Sequence, residues 1–91
     1  METIIEEYLR FIQIEKGLSS NTIGAYRRDL KKYQEYMTEH HISHIDFIDR
    51  QLIQECLGHL IDQGQSAKSI ARFISTIRSF HQFAIREKYA A

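Results

Sequence analysis

Ser66-Ala67-Lys68-Ser69-Ile70-Ala71-Arg72-Phe73-Ile74-Ser75-Thr76-Ile77-Arg78-Ser79-Phe80-His81-Gln82-Phe83 reads as one long amphipathic helix, expected over residues 67–88. Ser66 is a short hydroxyl residue of the kind that caps a helix N-terminus. At helical spacing, Ile70, Phe73, Ile74, Ile77, Phe80, His81 and Ala84 fall on one face. Lys68, Arg72, Ser75, Ser79 and Arg86 share the opposite face, where bases alternate with small hydroxyls. Such a face suits either simple solvation or close approach to an anionic backbone.

A second stretch repeats the pattern. Ser19-Ser20-Asn21-Thr22 leads into Ala25-Tyr26-Arg27-Arg28-Asp29-Leu30, which predicts a helix over 21–39 capped by Ser20 or Asn21. Ile23, Tyr26, Leu30, Tyr33 and Met37 lie in one sector, with Arg27, Arg28, Lys31 and Lys32 on the flank and the far side. The start of a helix offers free N–H groups and a positive dipole end, both suited to phosphate. Arginines on exposed helices suit phosphates and base edges of DNA.

Two more helices complete the reading. One is expected over 3–15, with Ile5, Tyr8, Leu9 and Ile12 inward, Phe11 and Ile14 widening the apolar face, and Gly17 as the stop. The other is expected over 50–63, capped by Asp49, with Leu52, Ile53, Cys56, Leu57, Leu60 and Ile61 as its stripe and Gly64 at its end. Residues 40–48 form a loop pinned by its apolar residues.

The composition agrees with an all-α chain. There is no Pro and Gly numbers only four in 91 residues, with five Tyr and five Phe to fill a modest core. The length fits one domain, 1–91. The formal net charge is zero, which alone argues against a nucleic-acid binder. Its distribution argues the other way. Residues 65–91 carry five bases and one acid, and residues 19–39 four bases and three acids. Residues 1–18 carry four acids and two bases, and residues 40–64 four acids and one base. Segregation of this kind directs an anionic partner to one side.

The single cysteine, Cys56, cannot form an internal disulfide, which points to a reducing cytoplasm. No apolar run reaches the ~18 residues of a membrane span, and the acidic N-terminus does not fit a signal peptide. The sequence runs out directly after the fourth expected helix, which suggests a domain cut from a longer chain.

Catalytic candidates do not assemble. Tyr8, Tyr26, Tyr33, Tyr36 and Tyr89 sit at core or boundary positions, and no Ser/His/Asp or paired-carboxylate set forms. His40, His41 and His44 cluster, but zinc needs three or four well-placed ligands, and Cys56 lies within an apolar stripe. His59 and His81 belong to core edges. No metal, cofactor or small-molecule ligand is expected.

The run Gly17 to Leu30 resembles the start of the core-binding domain of tyrosine recombinases (the phage integrase family, and within it the Xer subgroup). The run Ser66 to Phe83 resembles the last long helix of the same domain, and Arg86-Glu87-Lys88 also fits. His81 departs from the Tyr or Phe often found there and is given no role. The resemblance spans the whole chain. It implies a four-helix bundle of the SAM-like integrase N-terminal type, forming one half of a clamp on double-stranded DNA. It also implies that the second and fourth helices cross at the major groove. The contacts implied are Ser20, Asn21, Thr22, Tyr26, Arg27 and Arg28 from the second helix and Lys68, Ser69, Arg72, Ser75 and Arg78 from the fourth. The parent would exchange strands through a 3′-phosphotyrosyl link, in a heterotetramer with a sister recombinase, with a DNA translocase acting on it, to resolve chromosome dimers. Its catalytic residues would lie in a separate C-terminal domain outside these 91 residues, so no tyrosine here is the nucleophile. The alternative is a helical protein-interaction module, whose charged faces meet a partner protein.

Overall fold

The computed structural model describes all of residues 1–91. Four helices follow one another: α1 (Glu2–Glu15), α2 (Ser20–Glu39), α3 (Arg50–Asp62) and α4 (Ala67–Arg86), with a short 3₁₀ turn (Ile45–Phe47) between α2 and α3. There are no strands, so the chain is the all-α four-helix bundle expected.

Local chemistry explains where the helices begin. The cap of α2 is Ser19, one residue before the expected Ser20 or Asn21. Ser19 is extended, and its Oγ accepts from the Thr22 N–H at 3.3 Å, while its carbonyl accepts from the Ile23 N–H at 2.9 Å. With that carbonyl already in the helical ladder, Ser20 is the first helical residue. Ser66 caps α4 as expected: its Oγ accepts from the Ser69 N–H at 3.1 Å. In both caps the serine also donates to the hydroxyl three residues on, Thr22 at 3.0 Å and Ser69 at 3.1 Å. Asp49 caps α3 by accepting from the Leu52 N–H at 2.8 Å.

The ends are equally local. Gly64 takes φ +89° just past α3, donating to the Ile61 carbonyl while Gln65 donates to that of Leu60. These paired bonds satisfy carbonyls that the helix leaves open. α2 and α4 close the same way with non-glycine residues in the left-handed region, His41 (φ 59°) and Lys88 (φ 65°). That turn stops α4 at Arg86, short of the expected residue 88.

α1, α2 and α4 pack against one another, and α3 leans on α4. The centre is aromatic. Tyr8, Tyr33, Phe73 and Phe80 are at most 2% exposed, and Tyr8 meets Phe80 and Phe83 edge-on. Ile45 anchors the 3₁₀ turn in the core. Three expected core residues are instead exposed: Ile14 (68%), Ile61 (58%) and Ile74 (36%). Each sits at the edge of its helix's apolar sector or beyond it. With ~100° per residue, Ile74 lies about 120° from the middle of the sector that α4 buries. Phe83 and Thr76 are buried there in its place.

Candidate nucleic-acid interface

The α2–α4 contact is built on an ion pair. Asp29 of α2 is 1% exposed, and it accepts from Arg72 Nε at 2.9 Å and Arg72 Nη2 at 2.8 Å. Thr76 Oγ1, one turn further along α4, donates to the same carboxylate at 3.1 Å. The hydrogen bond to Asp29 holds the Arg72 guanidinium above its usual pKa. Arg72 is therefore not on a free solvent face, as the helical pattern suggested. Neither is Ser79, which accepts from the Tyr8 hydroxyl at 2.9 Å. These two side chains face α2 and α1 because the packed neighbours extend around the flank of α4.

The remaining expected contacts divide by environment. Ser20 and Asn21 are exposed in the first turn of α2, and Lys68 in that of α4. The N–H groups of Ser20 and Asn21, and of Ala67 and Lys68, stay outside the ladder because each cap serves only the third position. Thr22 and Ser69 are half-buried, their hydroxyls engaged by the caps. Tyr26 is half-buried against the core and shares a crevice with Ser75, Thr76 and Ser79 of α4 and Tyr8 of α1. Arg27 is exposed and paired with Glu6 of α1 at 2.8 Å, an interaction of small energetic weight at a surface. Arg28 lies over Gly24, where an added Cβ would stand 3.6 Å from its Nη1. Arg28, Lys68 and Arg78 form no salt bridge, and Ser75 and Arg78 are exposed.

The packing thus brings Tyr26 and Asp29 of α2 together with Arg72, Ser75 and Thr76 of α4. Arg78 stands elsewhere. With Ile53 and Leu57 of α3 and Ile74, Ile77 and Ile85 of α4, it borders an apolar groove between those helices. Sequence reading missed Asp29 and Thr76. A signal exists for both: in azimuth Asp29 falls between Tyr33 and Tyr36, and Thr76 between Phe80 and Phe83, all buried.

The histidines do other work. His40 stacks on Tyr36 with ring centroids 4.0 Å apart, and His44 Nδ1 accepts from the Asp46 N–H at 3.1 Å to cap the 3₁₀ turn. No helix is long and apolar enough to cross a membrane.

An all-α bundle of four helices is the architecture that the resemblance to the integrase core-binding class implied. Residues 5–88 match the phage integrase N-terminal SAM-like domain, and the chain belongs to that family. Over all 91 residues it is 99% identical to the tyrosine recombinase XerD of Staphylococcus aureus strains N315 and MW2. It is 84% identical over the same length to the tyrosine recombinase XerD of Staphylococcus epidermidis. The chain spans 31% of the length of these curated relatives. No solved structure matches it.

Proposed function

We propose that this chain is the DNA-binding, core-binding domain of a site-specific tyrosine recombinase, gripping one recombination half-site through α2 and α4. The observation that carries the reading is the junction of these two helices. Both present uncapped N–H groups at their starts, and between them they hold most of the chain's bases. Ser20, Asn21, Thr22, Tyr26, Arg27 and Arg28 would face the duplex from α2. Lys68, Ser69, Arg72 and Ser75 would face it from α4, while Arg78, which borders the α3–α4 groove, lies apart from them. Unpaired cations and open N–H groups position a protein on phosphates, while forked side chains read base edges.

The parent protein would work in the cytoplasm with a sister Xer recombinase in a heterotetramer, under a DNA translocase. It would break and rejoin strands through a 3′-phosphotyrosyl intermediate to resolve chromosome dimers during segregation. The nucleophile and its catalytic partners would come from a C-terminal domain beyond these residues. Zero net charge and half a clamp imply weak binding by the domain alone, micromolar or poorer at physiological salt, as for non-specific contacts.

The test is an amide-shift titration of the labelled domain with a Xer-type half-site duplex at two salt concentrations. Salt-sensitive shifts at residues 19–28 and 66–79 are expected. Shifts absent at low salt, or confined to residues 1–15 and 45–62, would overturn the reading. The second outcome would favour the alternative, a helical protein-interaction module. One observation speaks for that alternative: the apolar groove between α3 and α4, where Ile74 is 36% and Ile85 54% exposed.

A further inference from the structure

Asp29 grips Arg72 from the side. The two hydrogen bonds use Nε and Nη2, and no hydrogen bond uses Nη1. A guanidinium carries five N–H groups in one plane. The side-on grip consumes one edge of that plane and leaves the other, the Nη1–Nη2 fork, unoccupied. The single Thr76 hydroxyl proton is shared between the Asp29 carboxylate at 3.1 Å and the Arg72 carbonyl at 2.9 Å. The Arg72 side chain keeps 37% of its surface in solvent while Asp29 keeps 2%.

We infer that Asp29 is a positioning residue that presents the free fork of Arg72 to the O6 and N7 of a guanine in the major groove. This rests on the DNA-binding reading above. Two physical arguments favour a base edge over a phosphate. A paired guanidinium and carboxylate have no net charge, so the pair adds little to long-range attraction or to counterion release. What survives neutralisation is directional hydrogen bonding. In addition, a planar fork held rigid on one edge gains most from an acceptor pair of fixed geometry, and guanine O6/N7 is such a pair. Phosphate contacts fall to Arg28 and Lys68, which are exposed and free of salt bridges.

The test compares binding of the 91-residue chain to a Xer-type half-site duplex and to a scrambled duplex of equal composition, across a salt series. Replacing guanines of the half-site one at a time by 7-deazaguanine requires no protein variant. One position is expected to lower the preference for the half-site several-fold, a part of the roughly 5- to 150-fold that a full bidentate O6/N7 contact supplies. Asp29→Asn and Arg72→Lys, measured at a temperature where each is folded by circular dichroism, are expected to lose the same preference. Neither variant should then respond to 7-deazaguanine at that position, while the salt slope stays nearly unchanged in Arg72→Lys and steepens in Asp29→Asn, where the guanidinium loses its counter-charge. A purely structural role for Asp29 would lower thermal stability and leave the preference intact. Loss of affinity for both duplexes alike in Arg72→Lys, with no guanine position at which 7-deazaguanine weakens the wild type, would make Arg72 a phosphate contact and overturn the inference alone. Binding of the wild-type chain to neither duplex would overturn the DNA-binding reading and this inference with it.

Discussion

The hydroxyl of Tyr33 on α2 lies 2.6 Å from Nε2 of His81 on α4, and the two rings meet edge-on. Burial raises the Tyr33 phenol well above its usual range, so it stays protonated. Which of the two donates follows the tautomer of the His81 imidazole. Burial also lowers the His81 pKa. The position that departs from the usual aromatic therefore holds a polar tie between the same two helices that Asp29 and Arg72 join.

A pH dependence follows from that tie. With the folded pKa below the unfolded value of about 6.5, the unfolded chain binds the proton more readily. The stability due to a neutral His81 is complete above about pH 6.5 and declines as pH falls toward the folded pKa. Urea denaturation at pH 7.5 and at pH 5.5 should show the wild type losing more stability than His81→Phe. Equal losses in the two proteins would show that His81 does not titrate on unfolding in this range.

The exposure of Ile74 sets it apart from its neighbour. Phe73→Ala removes a ring that is 2% exposed and should cost about 3–5 kcal/mol through the cavity left behind. Ile74→Ala, at an exposed position, should cost less than about 1 kcal/mol. Thermal or urea unfolding of the two variants checks the contrast. Similar losses would place Ile74 in the core.

His41 closes α2 in the left-handed region at φ 59°, a conformation that costs an L-residue about 1–2 kcal/mol. His41→Gly should relieve most of that, less the added freedom of the unfolded chain, and stabilise the domain by about 0.5–1 kcal/mol. An unfolding midpoint unchanged or lowered would contradict it. The substitution lies outside every proposed DNA contact, so half-site affinity should hold.

Cys56 is fully buried, and burial pushes its thiol up to about 11. The thiolate is the reactive form. Iodoacetamide at pH 8 should therefore label the native protein far more slowly than the urea-unfolded chain. Mass spectrometry reads the difference, and equal rates would mean that the α3 face opens readily.

Helix number, order and caps were legible because each depends on neighbours a few residues away. Ser66 reaches Ser69, Asp49 reaches Leu52, and Gly64 tolerates a positive φ wherever the rest of the chain goes. Local rules also set the limit of that reading. Ser19, Ser20 and Asn21 are all good caps, and the extended backbone of Ser19 with the bonds that Thr22 and Ile23 make to it separates them. Periodicity marked the central core residues but misplaced Ile14, Ile61 and Ile74, because the width of a buried sector depends on which helices cover it.

By itself the sequence determined four amphipathic helices, their starts and stops to within a residue or two, a buried aromatic centre and a segregation of charge hidden under a net charge of zero. These depend on backbone hydrogen bonding, side-chain period and composition, which act along the chain. The tertiary structure alone decided that Asp29 meets Arg72 across 43 residues, that Thr76 braces the pair, and that the Tyr33 hydroxyl meets His81 across 48. A carboxylate on one helix and a guanidinium on another have no local signature as partners. They become one when packing α2 on α4 removes water from Asp29, and a buried charge is stable only with an opposite charge and hydrogen bonds around it.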